Sequence, residues 1–209
     1  MRDKLLASAM GIALIASPAS AEEKTYNLDK IDSVEASGAF NIVIELGKKQ
    51  SVTVIEEKGR FDYVDLEVSG GTLDLDFEKG WRGDDGPDFT VKLVLTSLKE
   101  IDVSGANRVL LKKAKLDDLE IDASGATQLV LSGTCNHLEA DVSGASKLVA
   151  DELSCKSIEL DLSGASQASI RADKIEADTS GVSKLAVHGD VEDFSHESSG
   201  FSNVVRVKG

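Results

Sequence analysis

The segment EIDVSG at residues 100–105 returns as EIDASG at 120–125, EADVSG at 139–144, ELDLSG at 159–164 and EADTSG at 176–181, with a looser HESSG at 196–200. Eight Ser-Gly pairs that follow an acidic residue place Gly at 38, 70, 105, 125, 144, 164, 181 and 200, and from Gly105 onward the intervals among these are 20, 19, 20, 17 and 19 residues. A fixed period near twenty is the mark of a solenoid, in which each repeat is one coil that buries its apolar side only by stacking on its neighbours. Within a coil, Leu119, Ile121 and Ala123 alternate with Glu120, Asp122 and Ser124, and the alternation resumes after the Gly through Leu129 and Leu131. Period two is a strand signal. The expected fold class is therefore all-β, a parallel β-solenoid (β-helix) whose coils lie about 4.8 Å apart, so that equivalent positions form ladders.

Each Gly stands where a corner between two strands needs a positive φ. The residue after it (Ala106, Ala126, Ala145, Ala165, Val182, Phe201) is expected to face inward at the corner. The next column, Asn107, Thr127, Ser146, Ser166, Ser183 and Ser202, consists of short polar side chains suited to local hydrogen bonds in turns. Residues 26–100 depart from the plain repeat. Strand-like runs at 31–36, 39–46, 50–56, 62–68, 72–78 and 89–95 are split by the turn signals LGKKQ, EKGR and SGGT and by the long loop EKGWRGDDGPD. The Ser-Gly intervals here are 32 and 35 residues, too long for one coil. This half is expected to form wider coils carrying hairpins that cap and thicken the solenoid. Residues 22–209 are read as a single domain, with wider coils over 22–97 and regular repeats over 98–209.

The chain opens with MRDKLLASAMGIALIASPASA: a positive start at Arg2 and Lys4, an apolar run from Leu5 to Ala16, and Ala19-Ser20-Ala21 as an A-x-A cleavage site. That is the layout of a secretory signal peptide over residues 1–21. Its apolar run is about half the ~20 residues a spanning helix requires. No transmembrane segment is expected in the mature chain. Removal of the leader takes the formal charge from −14 to −15. An acidic surface of this kind argues against nucleic acid or anionic lipid as a partner, since both need clustered Lys and Arg. Seven of the nine aromatic residues precede residue 90, so the core of the regular repeats must be built from Val, Leu, Ile and Ala.

In order along the chain, IDSVEASGAFNIVIELGKKQSVTVIEEKG, then LEVSGGTLDLDFEKG, then FTVKLVLTSLKEIDVSGANRV resembles the head GIN domain family, known as a "putative autotransporter adhesin". The resemblance extends over essentially the whole mature chain. It implies an exported β-solenoid of the bacterial envelope, in the periplasm or at the cell surface, and brings no catalytic residues with it. A translocating outer-membrane barrel, built from many alternating strands of ~10 residues, is not expected after FSNVVRVKG.

Three constellations are candidate sites. The first is acidic: three residues before each of the eight Gly stands Glu35, Glu67, Asp102, Asp122, Asp141, Asp161, Asp178 or Glu197, and two residues earlier five repeats add Glu100, Glu120, Glu139, Glu159 and Glu176. Alternation puts both columns on one solvent face, about 7 Å apart along each strand. Such a grid suits weak Ca²⁺ binding through carboxylate oxygens, or simply a solvated face that keeps the sheet soluble; no resident cofactor is expected. The second is the pair Cys135 and Cys155. Each lies nine residues before the next repeat's Gly, so stacking brings them within disulfide range, and an exported chain meets an oxidising compartment. Paired free thiols or a metal site with His137 are the other readings, although Cys-x-His alone is a weak zinc signal. The third is the loop GWRGDDGPD, where Trp81 and Arg82 could stack on a sugar while Asp84, Asp85 and Asp88 gather a cation; an ordinary exposed turn is the alternative.

No G-x-S-x-G, H-E-x-x-H, phosphate-cradling Gly loop or C-x-x-C is present. The expected function is a non-enzymatic, exported cell-envelope binding module of adhesion type, its partner an envelope glycan or protein. A periplasmic carbohydrate-active enzyme of β-helix type is the alternative; a cleft holding Lys or Arg against two carboxylates would favour it. A scaffold with a protein partner is a third.

Overall fold

The computed structural model describes residues 21–78 and 89–207. Sixteen strands carry most of it: β1 (Glu22–Tyr26), β2 (Ser33–Gly38), β3 (Asn41–Leu46), β4 (Ser51–Glu56), β5 (Val64–Ser69), β6 (Thr72–Phe77), β7 (Thr90–Leu95) and β8 (Glu100–Gly105) in the irregular half and its junction. The repeats supply β9 (Arg108–Lys115), β10 (Asp118–Ala123), β11 (Gln128–Val142), β12 (Lys147–Leu162), β13 (Gln167–Thr179), β14 (Lys184–His188), β15 (Asp193–Ser198) and β16 (Asn203–Val207). One 3₁₀ turn at Phe61–Tyr63 is the only helical element among the described residues.

The all-β parallel solenoid expected from the repeat is the fold observed. Each coil makes two walls. The first wall holds the Glu-x-Asp-x-Ser strands β2, β8 and β10, the later halves of β11, β12 and β13, and then β15, all parallel and in register. The second holds β7, β3, β9, the earlier halves of β11 to β13, β14 and β16, also parallel. Because β11 to β13 run through the bend opposite the Ser-Gly corner, the two walls join into one sheet. Between them lie fully buried columns such as Ile101, Ile121, Ala140, Leu160 and Ala177 facing Val109, Leu129, Leu148, Ala168 and Leu185. Alternation supplies this core directly, as every second residue points in. Toward the N-terminal end the walls are filled by stacked aromatics instead, with the rings of Phe40 and Phe77 4.4 Å apart.

The irregular half is threaded out of order. β2 lies between β6 and β8, and β3 between β7 and β9, so the coil of residues 72–95 sits outside the coil of residues 33–46. β4 then pairs antiparallel outside β7, β1 outside β4, and β5 outside β6. Of these, only β5 and β6 form a hairpin of the kind expected; β4 and β1 thicken the solenoid by pairing with strands distant in sequence, and β3 and β4 are not paired with each other. The Ser-Gly at Gly70 is not a coil corner, however. Gly70 and Gly71, at φ 62° and 96°, form the two-residue connection of the β5–β6 hairpin, a geometry that requires two successive positive φ values.

At the true corners the structure corrects the expectation of which residue turns inward. Ala106, Ala126, Ala145 and Ala165 are exposed, as are Val182 at 62% and Phe201 at 86%; the polar residues that follow are the buried ones. Asn107 accepts from the Phe40 amide at 2.8 Å and donates to the carbonyls of Ala36 and Ser104. Thr127 donates to Ser146, and Ser166 donates to the Val142 and Ser163 carbonyls. At Asn107 and Ser166 the short polar side chain reaches backbone carbonyls at the corner, which offsets the cost of burying it, whereas the buried Ser183 hydroxyl has no hydrogen-bond partner among the described residues. The Gly itself is fixed twice over. At Gly125, φ is +79° and a Cβ would lie 2.5 Å from the Gly105 carbonyl oxygen of the coil before.

At the C-terminal end the inward positions change character. Phe194, His196 and Arg206 occupy slots filled by Ile175, Ala177 and Val187 in the preceding coil. The Arg206 guanidinium lies 4.4 Å from the Phe194 ring centroid, His196 stacks on the same ring, and its Nε2 meets Thr179 Oγ1 at 2.9 Å. Inward charge in a terminal coil covers the core and discourages edge-to-edge pairing.

Candidate functional site

The outer faces of the two walls differ in chemistry. On the first wall the strand register stacks Glu67, Asp74, Glu35, Asp102, Asp122, Asp141, Asp161, Asp178 and Glu197 on successive strands. A parallel column beside it stacks Glu100, Glu120, Glu139, Glu159 and Glu176. Asp74 was not part of the sequence pattern, because no Ser-Gly follows it; the out-of-order threading alone brings it into the column. Among the described residues no ion pair reaches either column. Partial burial first, and then the repulsion of neighbouring carboxylates, raises Glu35, Asp102, Glu120 and Asp161 above the usual carboxylate range.

The second wall presents the opposite chemistry. Its outward positions after each corner read Arg108, Gln128, Lys147, Gln167, Lys184 and Asn203, stacked on consecutive coils. Two residues on, the outward column is Leu110, Val130, Val149, Ser169, Ala186 and Val205, continued on the other side by Val43. A shallow groove of about 250 Å³ follows both columns between Lys147 and Val205. The reading from net charge overlooked this wall. Its signal was present: QLVL at 128–131 and KLVA at 147–150 place an apolar residue outward between two core residues, where alternation would have put a polar one.

Cys135 and Cys155 pair side by side on β11 and β12 and are joined in a disulfide with Cα atoms 4.4 Å apart, so neither thiol is free for metal. The loop residues Trp81, Arg82, Asp84, Asp85 and Asp88 lie outside the described residues. The three histidines stand apart: His137 meets Ser157, His188 meets Ser169, and His196 meets Thr179. A wider groove of about 590 Å³ runs along the bend, with Lys99 and Lys115 near Asp117, Asp118, Glu120 and Glu139 and with His137 at its side.

A regular solenoid of this kind belongs to the class of β-repeat proteins, whose stacked coils build extended surfaces. The chain matches the model of the family described as "Putative auto-transporter adhesin, head GIN domain" over residues 30–191, and it belongs to that family. Among solved structures it is similar to one from Bacteroides fragilis described as a "putative adhesin", at 17% identity and a TM-score of 0.75, covering 91% of this chain and 98% of that one. A "Putative lipid binding protein" from Parabacteroides distasonis shares 18% identity with a TM-score of 0.53, over 88% and 96% of the two chains. A "putative adhesin" from Parabacteroides merdae shares 15% identity with a TM-score of 0.53, over 90% and 96%. At these identities the likeness is one of fold. No curated protein matches the chain.

Proposed function

We propose that the protein is an exported, non-enzymatic binding module of the cell envelope, of adhesion type, acting through its walls. The observation that carries this reading is the pair of unlike ladders repeated coil after coil on a rigid, disulfide-joined solenoid, together with membership of an adhesin family. Repetition of this kind multiplies weak contacts along an extended partner. Residues 1–21 serve as the export signal, and the mature chain begins at Glu22. The acidic columns act as a low-affinity Ca²⁺ platform that helps hold anionic envelope surfaces, and Trp81, Arg82, Asp84, Asp85 and Asp88 add contacts to a sugar or a cation.

The test is binding of the labelled full-length exported protein to isolated cell envelopes, with Ca²⁺ and with a chelator. Saturable retention supports the reading, and loss on chelation supports the part given to the acidic columns. Absence of saturable retention overturns it. A second reading, carbohydrate-active enzyme, is favoured by one observation, the lysines set against carboxylates in the bend groove. Release of reducing ends from envelope polysaccharide, abolished by Glu120→Gln, would establish that reading instead.

A further inference from the structure

The second wall is where the chain departs most from its overall charge. Arg108, Lys147 and Lys184 alternate with Gln128 and Gln167 up one column, so a cation recurs on every second coil and an amide lies between. With coils about 4.8 Å apart, the cations repeat about every 10 Å along the solenoid axis. Among the described residues, none of these three cations is within ion-pair distance of a carboxylate. Beside them runs the aliphatic column of Leu110, Val130 and Val149, half-buried.

We propose that this wall binds a linear acidic glycan carrying one carboxylate per disaccharide, laid along the solenoid axis. The proposal deepens the binding reading above and rests on it. Each acidic sugar sets its carboxylate against Arg108, Lys147 or Lys184, charge-assisted contacts of the strong kind. The intervening sugars present hydroxyls to Gln128 and Gln167, whose amides both donate and accept. The C–H faces of the rings cover the aliphatic column, removing it from water. The ~10 Å advance between cations is that of an extended disaccharide.

The other occupants fit less well. An extended acidic peptide repeats its side chains on one face about every 7 Å, out of step with the cations. The acidic wall of a second copy carries a carboxylate on every coil, which would set one against each Gln as well. A bilayer would need apolar side chains that project into it, and here Leu110, Val130 and Val149 are half-buried.

The experiment compares binding of hyaluronan fragments, neutral dextran, poly-L-glutamate and anionic phospholipid vesicles to the full-length protein by calorimetry. The expected result is saturable hyaluronan binding that weakens with salt and no binding of dextran. The double variant K147E/K184E, outward on both coils and folded by its unchanged melting curve, should lose roughly tenfold or more in affinity. The variant E120Q/D122N on the opposite wall should not. No hyaluronan binding overturns the proposal, as do equal binding by K147E/K184E and stronger binding of poly-glutamate or vesicles. Should K147E/K184E still be retained by isolated envelopes as well as the parent protein is, the adhesion reading stands while this one falls.

Discussion

Replacing Asp161 by Asn should stabilise the protein. Asp161 lies between Asp141 and Asp178 on adjacent strands. Two carboxylates about 5 Å apart repel by roughly 1 kcal/mol in water and by about 3 kcal/mol at an effective dielectric of 20. The wall is largely solvated, so the smaller figure governs, and removing two such repulsions is worth about 1–2 kcal/mol at low ionic strength. Asn keeps the shape and carries no charge. For a chain of this size, 1 kcal/mol moves the melting temperature by about 2–4 °C, so D161N should melt roughly 2–8 °C higher than the parent in dilute buffer. The gain should shrink in 1 M NaCl, where screening acts over about 3 Å. The same physics fixes a pH dependence. Glu35, Asp102, Glu120 and Asp161 titrate higher in the folded protein than in the unfolded chain, whose reference values are 4.5 for Glu and 3.8 for Asp. The folded state therefore holds more protons as pH falls from neutrality toward those reference values, and stability rises across that window. Asp32, held low by Lys99 and Lys30, and Glu56, held low by Arg60 and Lys58 against its burial, act oppositely and lose their contribution once they are protonated. Thermal unfolding followed by circular dichroism at several salt concentrations and pH values reads all of this. A D161N protein that melts at or below the parent temperature in dilute buffer would refute the account of the wall as a set of unrelieved repulsions.

Reduction of the Cys135–Cys155 disulfide, which closes a separation of 20 residues, should cost about 3 kcal/mol; melting with and without reductant, alongside C135S/C155S, measures it. Gly125→Ala meets both a positive φ and the Gly105 carbonyl, whereas Gly70→Ala has the positive φ but open space around it. The hairpin change should cost about 1–2 kcal/mol and the corner change clearly more, as read from urea unfolding midpoints. Arg60→Ala leaves Glu56, 2% exposed, without the two guanidinium hydrogen bonds at 2.9 and 2.6 Å. A loss of about 3–5 kcal/mol is expected, with part of it recovered in R60A/E56Q.

The regular half of the fold is legible in the sequence because its information is local and repeated. Leu119-x-Ile121-x-Ala123 states a buried strand, and the same statement twenty residues later fixes which strand lies beside it. The disulfide follows from the same bookkeeping of slots, since Cys135 and Cys155 occupy one position in neighbouring coils. The threading of residues 33–95 is not legible in this way. Nothing in the run from Ser33 to Leu46 says that its partners are residues 72–95 on one side and 100–115 on the other, since each pairing is long-range and made by aliphatic residues that any strand could supply. The buried polar corner was misread for a geometric reason: two adjacent small residues follow the Gly, and only the corner's path decides which of them faces in. The basic and aliphatic wall escaped notice because net charge sums over both faces, and the acidic columns outweigh it.

The out-of-order threading has a consequence for how the chain acquires its structure. From residue 118 onward each new coil docks on the one made just before it, so this half can close strand by strand, each step joining segments about twenty residues apart. The coil of residues 33–46 cannot form this way, because one of its neighbours is made from residues 72–95 and the other from residues 100–115. Its closure must span a much longer loop, and loop closure of that kind slows folding. A nascent chain emerging from its N-terminus thus offers residues 33–46 their first neighbour only when β6 and β7 have emerged, and their second only when residues 100–115 follow.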